Sequence, residues 1–585
     1  MVRSACLLGL CVLWPPACAA QTTIYRQPLG IYARYTAGCP GGNGNTRCIT
    51  ANVAALLNNP ALAGINAFLK WGDLNPSYGS YDWTELADIF GAVDAWNAAN
   101  PTLPRKNVML GIGPGFHTPA WVFANMASCD PMFGLLPETN PSYTPYATPN
   151  PSLVPANCGY ATFLEFEDFA NPTELPLPLP WAPYYKTAWA TFLSALAQQY
   201  GSNPDLVSIE IDGPTASSSE MILPNESNDP VDFYKWNYLL ALTYPSSYQN
   251  SDQAFIEQWA DAVDLFSQTF SGLTLVITTG NGLPNFLMPV LGVGQAQTKG
   301  SPFPNYTVPD GFSPVCAAAP QTNIMDCAAE ESVVAYFASP QHGGTNLKAI
   351  QEDGIGANGV YHNVANLGGF GIRWLASESA NGTTELPDSS SYVTRVFGGF
   401  QSGGVITANE TDLQDQGCNL PGMQVCANLT AEQAFYNFMA SFFNDTKFGG
   451  YYGPGPGSVV SGTVPLNYLQ LYDVDINYAT ANACDIAGGA CTVEPVTTGT
   501  GKTLMTSTQA VLEVAAQQMT AIAELPACDL NKDGTTNVAD VQLIVNEALG
   551  KNAPVDDLNG DGKVNIVDLM IETNAALGRG CPAAQ

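Results

Sequence analysis

Two stretches near the C-terminus carry oxygen-bearing side chains at the spacing a hard cation needs. They read DLNKDGTTNVAD from Asp529 and DLNGDGKVNIVD from Asp557, 28 residues apart. In each, Asp or Asn stands at loop positions 1, 3, 5, 9 and 12, with Gly at position 6. Ca²⁺ takes six to eight oxygens, and the glycine permits the bend that wraps a short loop around it. The first loop offers Asp529, Asn531, Asp533, Asn537 and Asp540, plus the Thr535 carbonyl. The second offers Asp557, Asn559, Asp561, Asn565 and Asp568, plus the Lys563 carbonyl. Two bound Ca²⁺ ions are therefore expected. Position 12 is Asp rather than the longer, bidentate Glu, which favours a structural ion over a switch. Each loop runs into an apolar-periodic stretch, VQLIVNEALG and LMIETNAALG, and both predict helices. No helix enters the first loop, since Leu525, Pro526 and Cys528 lead straight into it.

Carboxylates form a second group. IRWLASES carries Glu378 at the end of a β-rich run, behind Trp374 and Ser377. VSIEIDGPTASSSEMILP carries three acids, Glu210, Asp212 and Glu220. Glu210 and Asp212 alternate with Val207, Ile209 and Ile211, so the acids should share one face and the apolar set the other. Glu220 lies in a Ser-rich loop beyond the Gly213-Pro214 turn.

These residues need a frame. Between Thr22 and Leu525, eight β-rich runs alternate with helical patterns. They are GIYARYT (Gly30), INAFLKW (Ile65), NVMLGIG (Asn107), LVSIEID (Leu206), LTLVITT (Leu273), LKAIQEDGI (Leu347), FGIRWLA (Phe370) and YLQLYDV (Tyr468). Helices are expected at YKTAWATFLSALAQQY from Tyr185 and AFIEQWADAVDLFSQTF from Ala254. Eightfold strand–helix alternation predicts an α/β fold, a parallel (β/α)8 TIM barrel. Long Pro/Asn/Gly-rich inserts follow the third strand (Ala127 to Pro180) and the fifth (Leu291 to Cys327). Another separates the expected seventh and eighth (Thr383 to Pro465). Inserts after strands sit on the C-terminal face, where barrels build their sites.

Composition sets the surroundings. Arg3, the apolar ACLLGLCVLW and then PPACAA before Gln21 read as an export signal over residues 1–20. Of fifteen Cys, three lie in that signal, leaving an even twelve, as an oxidising compartment favours. Neighbours predict the pairs Cys39/Cys48, Cys129/Cys158, Cys316/Cys327, Cys418/Cys426 and Cys484/Cys491, with Cys528/Cys581 clasping the small module. A formal charge of −32 argues against nucleic acid or anionic membrane as partner. No run beyond the signal is long and apolar enough to span a bilayer.

The duplicated loop–helix unit at 526–585 resembles the type I dockerin module. That resemblance implies a small all-α calcium-folded domain that docks onto a cohesin partner. It would ride on an extracellular polysaccharide-degrading enzyme. Positions 10 and 11, where dockerins carry partner specificity, are Val538-Ala539 and Ile566-Val567, which name no cohesin type. Upstream, FLKWGDLNPSYGSYDWTELADIF, with Trp71, Asp73, Pro76, Gly79 and Tyr81-Asp82-Trp83, resembles the segment after the second strand in glycoside hydrolase clan A. GIGPGFHTPAWV, with His117, Pro119 and Trp121, is similar to the clan's segment after the third strand. Residues 21–525 are thereby expected to be a glycoside-hydrolase-like barrel.

The clan places an acid/base Glu after the fourth strand and a nucleophile Glu after the seventh. A retaining hydrolase needs such a pair roughly 5–5.5 Å apart. The resemblance makes Glu378 the nucleophile. The fourth strand lacks the clan's Asn-Glu pair, so Glu210, Asp212 and Glu220 all stand as candidates. Glu220 is preferred as acid/base, with Asp212 positioning substrate. Trp71, Trp374 and Tyr472 are candidates for stacking on sugar rings, and His117 and Arg34 for bonding hydroxyls. The expected function is hydrolysis of a β-linked poly- or oligosaccharide by a secreted enzyme. The rival is a non-catalytic carbohydrate-binding or scaffold-attached protein on a degenerate barrel.

Overall fold

The computed structural model describes residues 26–36, 46–133, 151–153, 155–164, 173–214, 230–244, 251–279, 333, 336–337, 346–355, 396–402, 466–481, 494–497 and 502–523. It also describes 528, 530, 536–552, 554, 556, 558 and 563–577. Eight strands, paired in parallel throughout, close one barrel. In chain order they are β1 (Gly30–Thr36), β2 (Leu62–Lys70), β3 (Asn107–Gly113) and β4 (Leu206–Glu210), followed by β5 (Thr274–Thr279), β6 (Lys348–Ile355), β7 (Val396–Ser402) and β8 (Leu466–Tyr472). β8 pairs back onto β1, with Gly30 opposite Tyr468 and Arg34 opposite Tyr472.

Helices follow the strands on the outside: α1 (Thr46–Leu57), α2 (Thr84–Ala99), α3 (Pro183–Tyr200), α4 (Pro230–Thr243) and α5 (Ser251–Thr269), then α6 (Asp473–Ala481) and α7 (Thr508–Ala523). The outward residues of the strands, among them Ile65, Leu110, Ile209, Ile277 and Leu469, join one core cluster with the helices. Strand burial on both faces explains why these runs read as near-continuous apolar sequence. At the base of the barrel, buried Lys106 donates to the Leu57 and Asn59 carbonyls at 2.6 and 2.8 Å, where α1 ends. A cation there satisfies carbonyls left without helical partners.

Seven of the eight expected strands are present within a few residues, and the seventh is corrected. The strand between β6 and β8 is Val396–Ser402, which pairs with both neighbours. The FGIRWLA run, residues 370–376, lies outside the described residues. FGIRWLA has the stronger β composition, whereas VFGGFQS contains two glycines, which lower strand propensity. Pairing with both neighbours makes VFGGFQS a strand in spite of its glycines. The insert expected between Thr383 and Pro465 is therefore split by β7.

The insert after β3 carries structure of its own: Ala127–Ser128, Cys158–Leu164 and Glu174–Pro178 form a three-stranded sheet. The predicted Cys129–Cys158 disulfide joins its first two strands. Cys528 is disulfide-bonded as well. Cys48 lies in α1, while Cys39, Cys581 and both members of the pairs Cys316/Cys327, Cys418/Cys426 and Cys484/Cys491 lie outside the described residues.

At the C-terminus, α8 (Val538–Ala548) and α9 (Ile566–Ala576) pack around Cys528, Leu530, Ile544, Leu558 and Ala575. Among the described residues no helix is long and apolar enough to cross a membrane.

Candidate functional site at the barrel mouth

Among the described residues, the side chains inside the barrel form a lower and an upper layer that differ in chemistry. The lower layer is largely apolar: Tyr32, Met109, Val207, Val276, Ala349 and Tyr468. Val207 was expected to face the helices with Ile209 and Ile211. A register shift at Val108/Met109, opposite β4, turns Val207 inward instead. Strict period-two reading fails at a bulge because two residues there oppose one. Above it, Ile209 and Ile211 do face the helices, and Glu210 faces inward as expected.

The upper layer is polar. Glu210, only 1% exposed, reaches across the interior from the fourth strand. Its Oε1 accepts from Asn66 Nδ2 on β2 at 2.8 Å and from Gln470 Nε2 on β8 at 3.3 Å. Arg34 on β1 donates to Gln470 Oε1 at 3.5 Å, with its guanidinium 5.1 Å from the Phe68 ring centroid and 5.9 Å from that of Tyr472. Glu210 Oε2 and Asn66 Oδ1 are buried with no hydrogen-bond partner among the described residues. Burying such atoms unpaired costs on the order of 1–3 kcal/mol each, so a polar occupant that donates to them gains that much.

Gly111 makes this arrangement possible. A Cβ built there would stand 2.6 Å from Glu210 Oε2 and 2.6 Å from Phe68 Cδ2. Only a residue without a side chain lets the carboxylate lie across β3. Gly72 serves a similar end above β2, where a Cβ would meet the His117 carbonyl at 3.0 Å.

The remaining sequence candidates fall in three groups. Asp212 is fully buried just beyond β4, with its carbonyl accepting from Trp189 Nε1 at 3.4 Å. Its charge, after burial itself, raises the pKa of Tyr185, whose hydroxyl donates to the Gly213 carbonyl at 2.7 Å. His117 sits in the turn after β3, and burial followed by the Lys70 charge lowers its pKa to about 4. It is a neutral imidazole near neutral pH, able to hydrogen-bond but not to carry charge. Tyr472 ends β8, half-buried beside Arg34.

Trp71 is corrected. It is fully buried, with ring centroids of Trp189, Phe192, Tyr185 and Trp121 at 5.0, 5.8, 6.1 and 6.4 Å. A ring enclosed on these sides packs the core between β2 and α3 and cannot stack on a sugar.

Glu220, Trp374 and Glu378 lie outside the described residues. The strand order does bear on Glu378, which precedes β7 instead of following it. Asn66 and Gln470 are the site residues that sequence reasoning missed. The available signal was a lone amide at an inward position in each of INAFLKW and YLQLYDV.

The calcium-loop candidates are described in part. Asn537 and Asn565, at position 9, each cap a helix: Asn537 accepts from Ala539 N and Asn565 from Val567 N, both at 2.8 Å. Asp540 and Asp568, at position 12, are fully buried and accept from the backbone N–H of the capping Asn, again at 2.8 Å. These two bonds recur in both halves. Lys563 at position 7 is described, its carbonyl accepting from Asn565 Nδ2 at 3.3 Å. Asp529, Asn531, Asp533, Thr535, Asp557, Asn559 and Asp561 lie outside the described residues.

The pairing of β1 to β8 closes an eight-stranded parallel barrel with helices packed outside it. By sequence the chain matches no family model and no curated protein. Three of the solved structures it resembles carry glycosidase names. A xylanase from Thermoanaerobacterium saccharolyticum is 10% identical, over 76% of this chain and 86% of that one, at a TM-score of 0.32. An exo-β-1,4-mannosidase from an Opitutaceae bacterium is 10% identical, over 86% of this chain and 63% of its own, at 0.34. An endo-glycoceramidase from Rhodococcus is 12% identical, over 83% and 79%, at 0.33.

Proposed function

We propose that the chain is an exported glycoside hydrolase that cleaves a β-linked poly- or oligosaccharide with retention of configuration. The observation that carries this reading is the polar layer at the barrel mouth. There a buried acid on the fourth strand has one oxygen held by two amides and the other without a partner among the described residues. Such a layer suits a ligand dense in hydroxyl groups, because each hydroxyl both donates and accepts.

In the proposed mechanism the protonated Glu220 gives its proton to the glycosidic oxygen as a carboxylate attacks the anomeric carbon. The leaving group departs and a glycosyl ester forms. Glu220, now a carboxylate, takes a proton from water, which displaces the ester and regenerates both groups. Glu378 is the proposed nucleophile. The strand order favours a second candidate, Glu410, the first acidic residue beyond β7. Asp212, His117 and Tyr472 would position sugar hydroxyls around the scissile bond, and Trp374 is a candidate stacking ring.

The C-terminal module is proposed to fold around two Ca²⁺ ions and to dock onto a cohesin-type partner. The buried position-12 carboxylates fit that role, because a buried carboxylate calls for a compensating charge or hydrogen bonds. Asp529, Asn531, Asp533, Asn537 and Asp540, with the Thr535 carbonyl, would hold the first ion. Asp557, Asn559, Asp561, Asn565 and Asp568, with the Lys563 carbonyl, would hold the second. A bound ion would supply the positive charge that offsets these carboxylates.

The test is hydrolysis of a polysaccharide panel by the wild type and by Glu220→Ala, Glu378→Ala and Glu410→Ala. Azide should rescue Glu220→Ala and give a β-glycosyl azide. Full activity in Glu378→Ala with loss in Glu410→Ala moves the nucleophile. A wild type that binds glycans and hydrolyses none establishes the non-catalytic rival.

A further inference from the structure

Beyond β2 the chain makes a turn that is braced far more firmly than its exposure requires. Ser80 N donates to the Ser77 carbonyl at 3.0 Å, and Gly79 takes a positive φ of 69°, a conformation glycine adopts without strain. Asn75, itself buried, donates through Nδ2 to the carbonyls of Ser77 and Ser80 at 2.9 and 2.8 Å, and so clamps both ends. At the tip stands Tyr78, 77% exposed.

The ring of Tyr78 is backed as well as displayed. Trp121, from the segment after β3, meets it at a centroid distance of 5.3 Å and an interplanar angle of 77°. Trp121 is fixed in turn, since its Nε1 donates to the Asn75 carbonyl at 2.9 Å and its ring meets buried Trp71 edge to face at 6.4 Å. A single residue, Asn75, thus ties the turn and the tryptophan together. Isolated exposed aromatics are common on protein surfaces. An exposed aromatic held by a clamped turn, a positive-φ glycine and an anchored indole is preorganised, and preorganisation lowers the entropic cost of binding.

Location indicates what it binds. Tyr78 and Trp121 lie in the connections that leave the C-terminal ends of β2 and β3, adjacent strands of the barrel. β3 also neighbours β4, which carries Glu210. We propose that Tyr78, backed by Trp121, is a rim subsite that stacks on one pyranose ring of a β-linked glycan whose further rings extend to the barrel mouth. This inference rests on the glycan-acting reading above. It reassigns to Tyr78 the stacking role that the sequence offered to Trp71, which lies in the core beneath.

The test uses the full chain and soluble β-glucan, xylan and mannan in affinity electrophoresis, with wild type, Tyr78→Ala and Tyr78→Phe. Stacking depends on the ring and not the hydroxyl, so Tyr78→Phe should keep wild-type affinity. Tyr78→Ala should bind about three- to tenfold more weakly, the scale of one aromatic contact. Its melting temperature should be unchanged, because the ring is exposed. A polysaccharide should feel the loss and a disaccharide that fills only the mouth should not. If wild type binds a glycan and Tyr78→Ala binds it equally well, the subsite is refuted while the glycan-acting reading stands. If wild type binds none of the three, both fall together.

Discussion

Replacing Glu210 by Gln separates what this residue does for folding from what it does for function. In the native barrel its carboxylate is 1% exposed and holds two hydrogen bonds, at 2.8 and 3.3 Å, on one oxygen only. Hydrogen bonds to a charged group contribute roughly 1.5–3 kcal/mol each, and the longer one less. Against this, removing a carboxylate from water costs several kcal/mol after relaxation. Glutamine keeps the shape and an accepting Oε1, loses part of the bond strength and escapes most of the desolvation cost. The expected balance is a gain of about 1–2 kcal/mol, read as a rise of about 1–4 °C in the barrel's melting transition. Hydrolysis should fall about ten- to a hundredfold, because the centre of the polar layer no longer positions substrate. The assays are thermal unfolding followed by tryptophan fluorescence and initial rates on the best polysaccharide. A melting point lowered by several degrees with hydrolysis intact would refute the reasoning and make Glu210 a structural strut.

Three further outcomes are expected. His117 has a native pKa lowered to about 4, against about 6.5 unfolded, so the unfolded chain binds more protons between those values. Stability should therefore fall as pH drops through 6.5 toward 4, by up to about 3 kcal/mol, and His117→Asn should flatten that decline in a pH series of melting temperatures. Glu85 on α2 runs the opposite way: burial, then the charges of Asp73, Asp82 and Asp88, raise its pKa to about 7. The native state then holds the extra proton between about 4.5 and 7, and stability falls as pH rises through that window. Glu85→Gln should raise the melting temperature at pH 8 and leave it unchanged at pH 4. Chelation by EGTA should melt α8 and α9 while leaving the barrel's transition in place, a difference resolved by limited proteolysis.

Legibility followed the range of the interactions. The helix caps of the small module were readable because Asn537 with Asp540 and Asn565 with Asp568 bond within three residues. The inward direction of Glu210 was readable because strand alternation is local. Three things were not. Val396–Ser402 forms the seventh strand through pairing with β6 and β8, although its glycines argue against it. Val207 turns inward because of a bulge opposite β3. Trp71, conspicuous in its motif, is enclosed by rings from α3, more than a hundred residues downstream.

By itself, then, the sequence determined the two oxygen-rich loops, the alternation of strand and helix and the set of acids from which a site could be built. Each depends on spacing along a few residues. Only the tertiary structure decided which acids share a chamber, which aromatic is displayed and which is buried, and which run completes the barrel. Glu210 meets Asn66 and Gln470 across separations of 144 and 260 residues. Tyr78 gains its backing from Trp121 across a second connection. Contacts of that range are set by the closure of eight strands around one axis, and no local pattern encodes them.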